Sequence, residues 1–228
     1  MKVVKIPVIT IDGASGTGKG VVTQRIAKQL GWKLLDSGVL YRVLALAAEK
    51  HHVPLDNEVT LKELALTLDV LFLSEKIGQF PLVQLEGEDV TQLIRNESIG
   101  NAASKVGVLP EVRLALLARQ RAFREAPGLV TDGRDMGTVV FPDAILKVFL
   151  TASPEERALR RYNQLKDMGI HANLSDLVMG LRERDKRDKE RVTAPLKPAM
   201  DAFCIDTDHL TIEQVVECIM AEVQKVLL

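Results

Sequence analysis

Residues Pro7 to Val21, P-V-I-T-I-D-G-A-S-G-T-G-K-G-V, constrain this chain more than any other stretch. A short apolar run (Val8, Ile9, Ile11) breaks into Gly13-Ala14-Ser15-Gly16-Thr17-Gly18-Lys19-Gly20, and from Val21 to Leu30 the apolar residues Val22, Ile26 and Leu30 recur at helical spacing. The order is strand, glycine loop, helix. Such a loop turns backbone N–H groups inward to make an anion-binding concavity, and the helix N-terminus adds partial positive charge. Lys19 brings a full charge to the outer phosphates of a nucleoside triphosphate. The pattern G-x-x-x-x-G-K-[ST] holds from Gly13 to Lys19 and fails at Gly20. The hydroxyl that normally meets Mg²⁺ is absent there, so Ser15, Thr17, a downstream aspartate or water must replace it.

The rest of the composition narrows the setting. At 228 residues the chain can build one sizeable core with an insertion, or two small domains. A formal net charge of -1 leaves no whole-chain field to draw it to nucleic acid or an anionic membrane, so any anion must be held by a local cluster. Cys204 and Cys218 sit in apolar stretches without paired spacing, which predicts buried free thiols in a reducing compartment. The start M-K-V-V-K-I-P is too short and too charged for a signal peptide, and no run reaches the length of a membrane span. A cytoplasmic protein is expected.

Along the chain, strands alternate with helices. Lys33 to Leu35 is a strand candidate closed by Asp36-Ser37-Gly38; Tyr41 to Lys50 and Leu61 to Leu68 read as helices, with His51 and His52 as ordinary surface residues in the loop between. Around Asp69 to Val90 the period changes to short strands, with turns at Lys76 to Gln79 and Glu86 to Glu88, which predicts a small antiparallel insert. Asn101 to Ser104 lies in a helical region. Pro110 opens a long helix, Val112 to Glu125, whose arginines are expected to be solvated, Arg113 excepted. Leu129-Val130-Thr131 is a buried strand that delivers Asp132-Gly133-Arg134-Asp135 at its carboxyl end, the edge where ligands bind in an open α/β sheet. After a strand at Ile145 to Leu150, Ser153-Pro154-Glu155-Glu156 carries the signals of a helix start. Arg157 and Arg161, four apart, share a face of that helix. In R-E-R-D-K-R-D-K-E-R, Arg184, Asp188 and Arg191 fall on one stripe with Arg187 at its edge. Ala202 to Ile205 gives a last strand, and Thr211 with Gln214 matches a capping box. The alternation means a parallel sheet covered on both faces.

A triphosphate cradle with arginines gathered in three later places implies two phosphorylated ligands. Phosphoryl transfer is mostly positioning and charge neutralisation, and a phosphate monoester is already an anionic nucleophile at neutral pH. Such an acceptor needs arginines more than a base.

The combination I-D-G-x-S-G-x-G-K-G (Ile11 to Gly20), L-L-D-S-G-x-x-Y-R (Leu34 to Arg42), L-E-G-E-D-V (Leu85 to Val90), N-A-A-S (Asn101 to Ser104), D-G-R-D-M-G-T-V-V-F-P (Asp132 to Pro142) and R-x-x-R-D-x-x-R (Arg184 to Arg191) resembles the bacterial cytidylate kinases, from first strand to last helix. Gly20 is what that family itself shows. The resemblance implies an α/β fold: a P-loop NTPase-type parallel five-stranded sheet flanked by helices, with a monophosphate-binding insert of a small antiparallel sheet plus helices, and a short lid. It puts the core at residues 1–38, 110–156 and 173–228, the insert at 39–109 and the lid at 157–172. It implies transfer of the γ-phosphoryl group of ATP to CMP or dCMP with Mg²⁺. Gly13, Ala14, Ser15, Gly16, Thr17, Gly18, Lys19, Gly20 and Val21 would hold ATP, while Arg42 and Arg134 would grip the acceptor phosphate. Ser37, Arg113, Asp135 and Arg191 match residues around the cytosine; Ser104, Arg184 and Asp188 match those near the sugar; Arg157 and Arg161 would close over the transferring group. A carboxylate accepting from the cytosine amino group and a guanidinium donating to N3 and O2 complement that base.

Rival readings are a uridylate, adenylate or shikimate kinase on the same fold, and a nucleotide-dependent switch. The switch would carry an N-K-x-D segment, which does not occur. Nucleic-acid binding is disfavoured by the near-neutral charge. Nothing marks an obligate interface, so a monomer is expected.

Overall fold

The computed structural model describes residues 5–73, 80–167 and 169–227. The turn expected at Lys76 to Gln79 lies outside them. The chain starts with β1 (Val8–Gly13), α1 (Lys19–Leu30), β2 (Lys33–Asp36), α2 (Ser37–Lys50) and α3 (Glu58–Leu66). Three short strands follow, β3 (Val70–Leu73), β4 (Leu82–Leu85) and β5 (Glu88–Asp89), then α4 (Glu97–Val106) and α5 (Pro110–Ala122). The remainder is β6 (Leu129–Gly133), a π-helical turn at Met136–Val140, β7 (Leu146–Thr151), α6 (Pro154–Asp167), α7 (Leu174–Glu190), β8 (Phe203–Asp206) and α8 (Ile212–Leu227).

The main sheet is parallel, in the order β2-β6-β1-β7-β8. Every residue of β1 is buried, as a central strand covered on both faces requires. One face packs α1 and α8 through Val22, Ile26, Val215 and Ile219; the other packs Leu35, Leu129, Met136 and Phe141. The small sheet, β3-β4-β5, is antiparallel and shares a separate core with α2, α3, α4 and α5. The expected capping box is present: Thr211 N donates to Gln214 Oε1 at 2.9 Å and Gln214 N to Thr211 Oγ1 at 3.3 Å.

Register decides what stands at the ligand edge. β1 to β6 pairs Asp12 with Gly133, and β2 to β6 pairs Asp36 with Asp132. Three aspartates, from adjacent strands, therefore end side by side at the carboxyl edge next to the glycine loop.

Some expectations are corrected. Asp36-Ser37-Gly38 does not close a strand into a loop: Asp36 is the N-cap of α2, accepting from Gly38 N at 2.9 Å, and the helix starts at Ser37. Cys204 and Cys218 are exposed, not buried, because β8 is an edge strand and α8 turns Val215, Val216, Ile219 and Val223 inward. Arg121 in the last turn of α5 and Arg124 just beyond that helix are not merely solvated: Arg121 donates to the carbonyls of Val140 (2.9 Å) and Val139 (3.1 Å), Arg124 to that of Ile6 (2.7 Å).

Candidate active site

The glycine loop links β1 to α1 through positive-φ backbone at Gly16 (φ 83°) and Gly18 (φ 86°), conformations that a Cβ resists. Two of its carbonyls are held by side chains. The Ala14 carbonyl accepts from Lys19 Nζ at 2.9 Å and Thr17 Oγ1 at 3.1 Å, and the Ser15 carbonyl accepts from Arg157 Nη1 at 2.9 Å. In a trans peptide the N–H points opposite to the C=O, so the Ser15 carbonyl, held by Arg157 behind the loop, leaves the Gly16 amide facing the concavity. Gly13 packs against the Leu150 carbonyl of β7 too closely for any side chain.

Lys19 is 8% exposed. Burial, and then Arg134, push its pKa down from 10.5 to about 7, with Asp132 pulling the other way. Burial and the neighbouring Asp36 raise Asp132 well above the carboxylate range, and its Oδ1 finds no hydrogen-bond partner among the described residues. Asp12 is raised to about 6 by burial, although it accepts from the amides of Met136 and Gly137, both at 2.8 Å. Those two bonds hold the π-helical turn after Asp135 against the strand ends.

On the facing side, arginines and aspartates interlock. Arg134 Nε donates to Asp188 Oδ2 at 2.7 Å. Burial pushes Asp188 up, but Arg134, Arg184 and Arg191 outweigh it and hold the carboxyl below its usual range. Asp135, 3% exposed, receives Arg113 Nη2 on one oxygen and lies 3.7 Å from Arg191 Nη2 on the other. Arg113 Nη1 donates to the Gly107 carbonyl at 2.9 Å, and its guanidinium carbon lies 5.6 Å from the Tyr41 ring centroid. Arg184 stands apart: its Nε is buried without a partner among the described residues, and burial, then Arg134, lower its pKa to about 10.

The family model described as cytidylate kinase matches residues 9–225. The chain belongs to the cytidylate kinase family. It is 62% identical to the cytidylate kinase of Pseudomonas syringae pathovar tomato over 220 residues, covering 96% of each chain. It is likewise 62% identical to the cytidylate kinase of Azotobacter vinelandii, covering 95% of this chain and 94% of that one. An uncharacterised protein from Eubacterium ventriosum shares the fold, with a TM-score of 0.51 at 12% identity, covering 97% and 99% of the two chains.

Against the site that the cytidylate kinase resemblance implied, most residues converge. Ser37, at 3% exposure, opens α2 beside Gly133, and Ser104 Oγ on α4 receives Arg187 Nε at 3.4 Å. Arg42 lies close enough to Arg134 and Arg161 for their charges to lower its pKa, after burial as the main cause, while its Nη1 donates to the carbonyls of Ile94 (2.7 Å) and Asn96 (3.3 Å). Val21 faces outward, 45% exposed.

Arg157 and Arg161 take different partners. Arg157 is 1% exposed and spent on protein partners, whereas Arg161 reaches across to Glu97 of α4 at 3.6 Å. A shared helical face sets where two side chains leave the helix, not where their heads find partners. Arg191 lies beyond α7, in extended backbone, its Nε donating to the Ala194 carbonyl at 2.5 Å, so no helical stripe delivers it. Sequence reasoning missed Asp12, Asp36, Tyr41 and Asp185. Asp12 and Asp36 carried a usable signal, since each ends a strand that runs into a glycine-containing turn. Asp185 carried none.

Proposed function

We infer that this chain transfers the γ-phosphoryl group of ATP to CMP or dCMP, giving ADP and CDP or dCDP. The observation that carries the reading is a cluster of cations gathered in one cleft: buried Lys19 with half-buried Arg42, Arg134 and Arg184, where burial first, and then Arg134, lower the pKa of both Lys19 and Arg184. Such crowding costs free energy unless anions are to be bound among them, and two phosphorylated nucleotides meeting end to end supply those anions.

In this reading Gly13 to Val21 cradle ATP, and Lys19 meets its outer phosphates. Arg42 and Arg134 hold the acceptor phosphate, which attacks as an anion and needs no general base. Arg161, from the far side of the cleft, closes on the transferring group. Asp135, set between Arg113 and Arg191, accepts from the cytosine amino group, while those guanidiniums donate to N3 and O2; uracil reverses the donor and meets a carboxylate with an acceptor. Ser37 completes the base side, and Ser104, Arg184 and Asp188 face the sugar. Residues 39–109 act as the monophosphate-binding insert and 157–172 as the lid, whose closure excludes water that would otherwise accept the phosphoryl group.

Mg²⁺ fits the strand ends. Among the described residues Asp132 Oδ1 has no hydrogen-bond partner, and Asp36 stands at the same register, a pair of hard oxygen donors whose mutual repulsion a cation relieves. Asp132 and Asp36 would hold the ion; when bound it neutralises charge on the ATP phosphates. We propose further that the enzyme is a monomer working in the cytoplasm, where ATP is held; no helix among the described residues is long and apolar enough to cross a membrane.

ADP formation from ATP with CMP, dCMP, UMP and AMP as acceptors tests the reading. CMP and dCMP are expected to turn over fastest, UMP slower and AMP negligibly. Acceptor-independent turnover, or equal use of AMP, overturns it.

A further inference from the structure

Among the described residues Arg157 is the bulkiest side chain sealed from solvent, and three parts of the molecule share it. From α6 its Nε donates to the carbonyls of Ala152 (3.1 Å) and Ser153 (3.3 Å) at the helix's own start. Its Nη1 donates to the Ser15 carbonyl of the glycine loop at 2.9 Å. Nη1 and Nη2 together grip the Asp185 carboxylate of α7 at 3.0 and 2.5 Å, a two-pronged bond that fixes the plane of the guanidinium. The stem lies on the loop as well: a Cβ added at Gly16 would sit 3.1 Å from Arg157 Cβ and 3.5 Å from its Cγ.

The consequence for the cradle is local. Arg157 keeps the Ser15 C=O outward and hence the Gly16 N–H inward. Asp185 keeps Arg157 in place. Asp185 and Asp188 are three apart and adjacent on the surface of α7, and each holds one arginine: Asp188 takes Arg134 at the acceptor side, Asp185 takes Arg157 at the donor side. A single rigid helix therefore grips a guanidinium from each half of the cleft.

We propose that Asp185 is a positioning residue that couples the two nucleotide subsites: an acceptor that settles Arg134 and α7 also settles Arg157, and with it the Ser15–Gly16 peptide that receives the donor phosphates. The proposal rests on the kinase reading above. By linkage the coupling is reciprocal, each nucleotide tightening the other by the same factor.

The test is calorimetric titration of the full chain with the β,γ-imido analogue of ATP and Mg²⁺, alone and with saturating CMP. In the wild type CMP tightens the analogue by about fivefold or more. Asp185→Asn removes the charge, weakens the analogue alone by about tenfold, and brings the CMP-dependent factor to near one, while CMP binding alone changes by less than about twofold. A substitution that merely loosens the fold would weaken both single ligands and leave the factor in place. If Asp185→Asn does not melt cooperatively, Arg157→Met combined with Asp185→Leu replaces it; this removes both buried charges at similar volume and is expected to lose the factor too. A wild-type factor retained in either variant overturns the proposal, as does a factor of one in the wild type. ADP formation with CMP is measured alongside: if the wild type lacks it, the kinase reading falls and takes this proposal with it, whereas normal turnover with an unchanged factor removes this proposal alone.

Discussion

In the proposed reading, the two sides of the cleft meet phosphate in opposite ways. The donor side is backbone: loop amides whose carbonyls are held by Thr17, Lys19 and Arg157, with Lys19 as the cation that meets the phosphates. The acceptor side is side chain: Arg113, Arg134 and Arg191 are oriented by Asp135 and Asp188. A backbone cradle tolerates exchange of its side chains but not of its glycines. An ion network has the reverse vulnerability, because deleting one member leaves a buried partner unpaired. On that reading the acceptor side is expected to discriminate between bases, and the cradle to recognise only a chain of phosphates.

The largest effect is expected from Lys19→Ala, which removes the cation that meets the donor phosphates: turnover falls about 10³-fold in an ADP-release assay. Turnover near wild type would mean that the amides alone suffice and that the contrast is sharper than described. Next comes Asp135→Asn on the acceptor side. It should raise the CMP KM by about 10- to 100-fold and the UMP KM by much less, because it takes the charge from the buried carboxylate that Arg113 hydrogen-bonds and Arg191 faces at 3.7 Å, and one hydrogen bond to a charged group is worth about 1.5–3 kcal/mol; equal losses for both nucleotides would remove Asp135 as the discriminator. Gly16→Ala puts a Cβ at φ 83° against Arg157. The strain of about 1–2 kcal/mol should lower the melting temperature by roughly 2–8 °C and raise the ATP KM without moving that of CMP. The smallest signal is protonic. Lys19, with a pKa pushed down to about 7 in the free protein, becomes fully charged against phosphates, so ATP binding takes up a fraction of a proton above that pH and none well below it. ATP affinity accordingly falls as pH rises through 7, and titration in two buffers of different ionisation enthalpy measures the uptake. CMP binding, set among guanidiniums that stay charged, should show no uptake from Lys19.

What the chain disclosed in advance follows the same division. The donor side is local in sequence: Gly13 to Lys19 is one run, and its strand, loop and helix follow from apolar spacing and glycine alone. The parallel sheet was equally legible, since each strand is a short apolar run between helical periods. The acceptor side is assembled from α2, α4, α5, the end of β6 and α7, and residue type plus spacing could nominate Arg113 or Arg184 without saying what each would touch. Arg157 and Arg161 show the limit. Helical period put them together, and their partners, Asp185 on α7 and Glu97 on α4, pulled them apart. The thiols failed for a related reason: apolar neighbours of Cys204 and Cys218 signalled an element with a buried side, not which side each cysteine would take.

The last helix has a bearing on when the cradle comes into being. Ile212, at the start of α8, stands 3.0 Å from where a Cβ on Gly18 would lie, and β8 closes the sheet along β7 just before it. The glycine loop and the wall behind it are distant in sequence and meet only through the sheet. The triphosphate motif alone therefore does not make the seat: the loop takes its packed shape only once β8 and α8 have docked against β7 and α1.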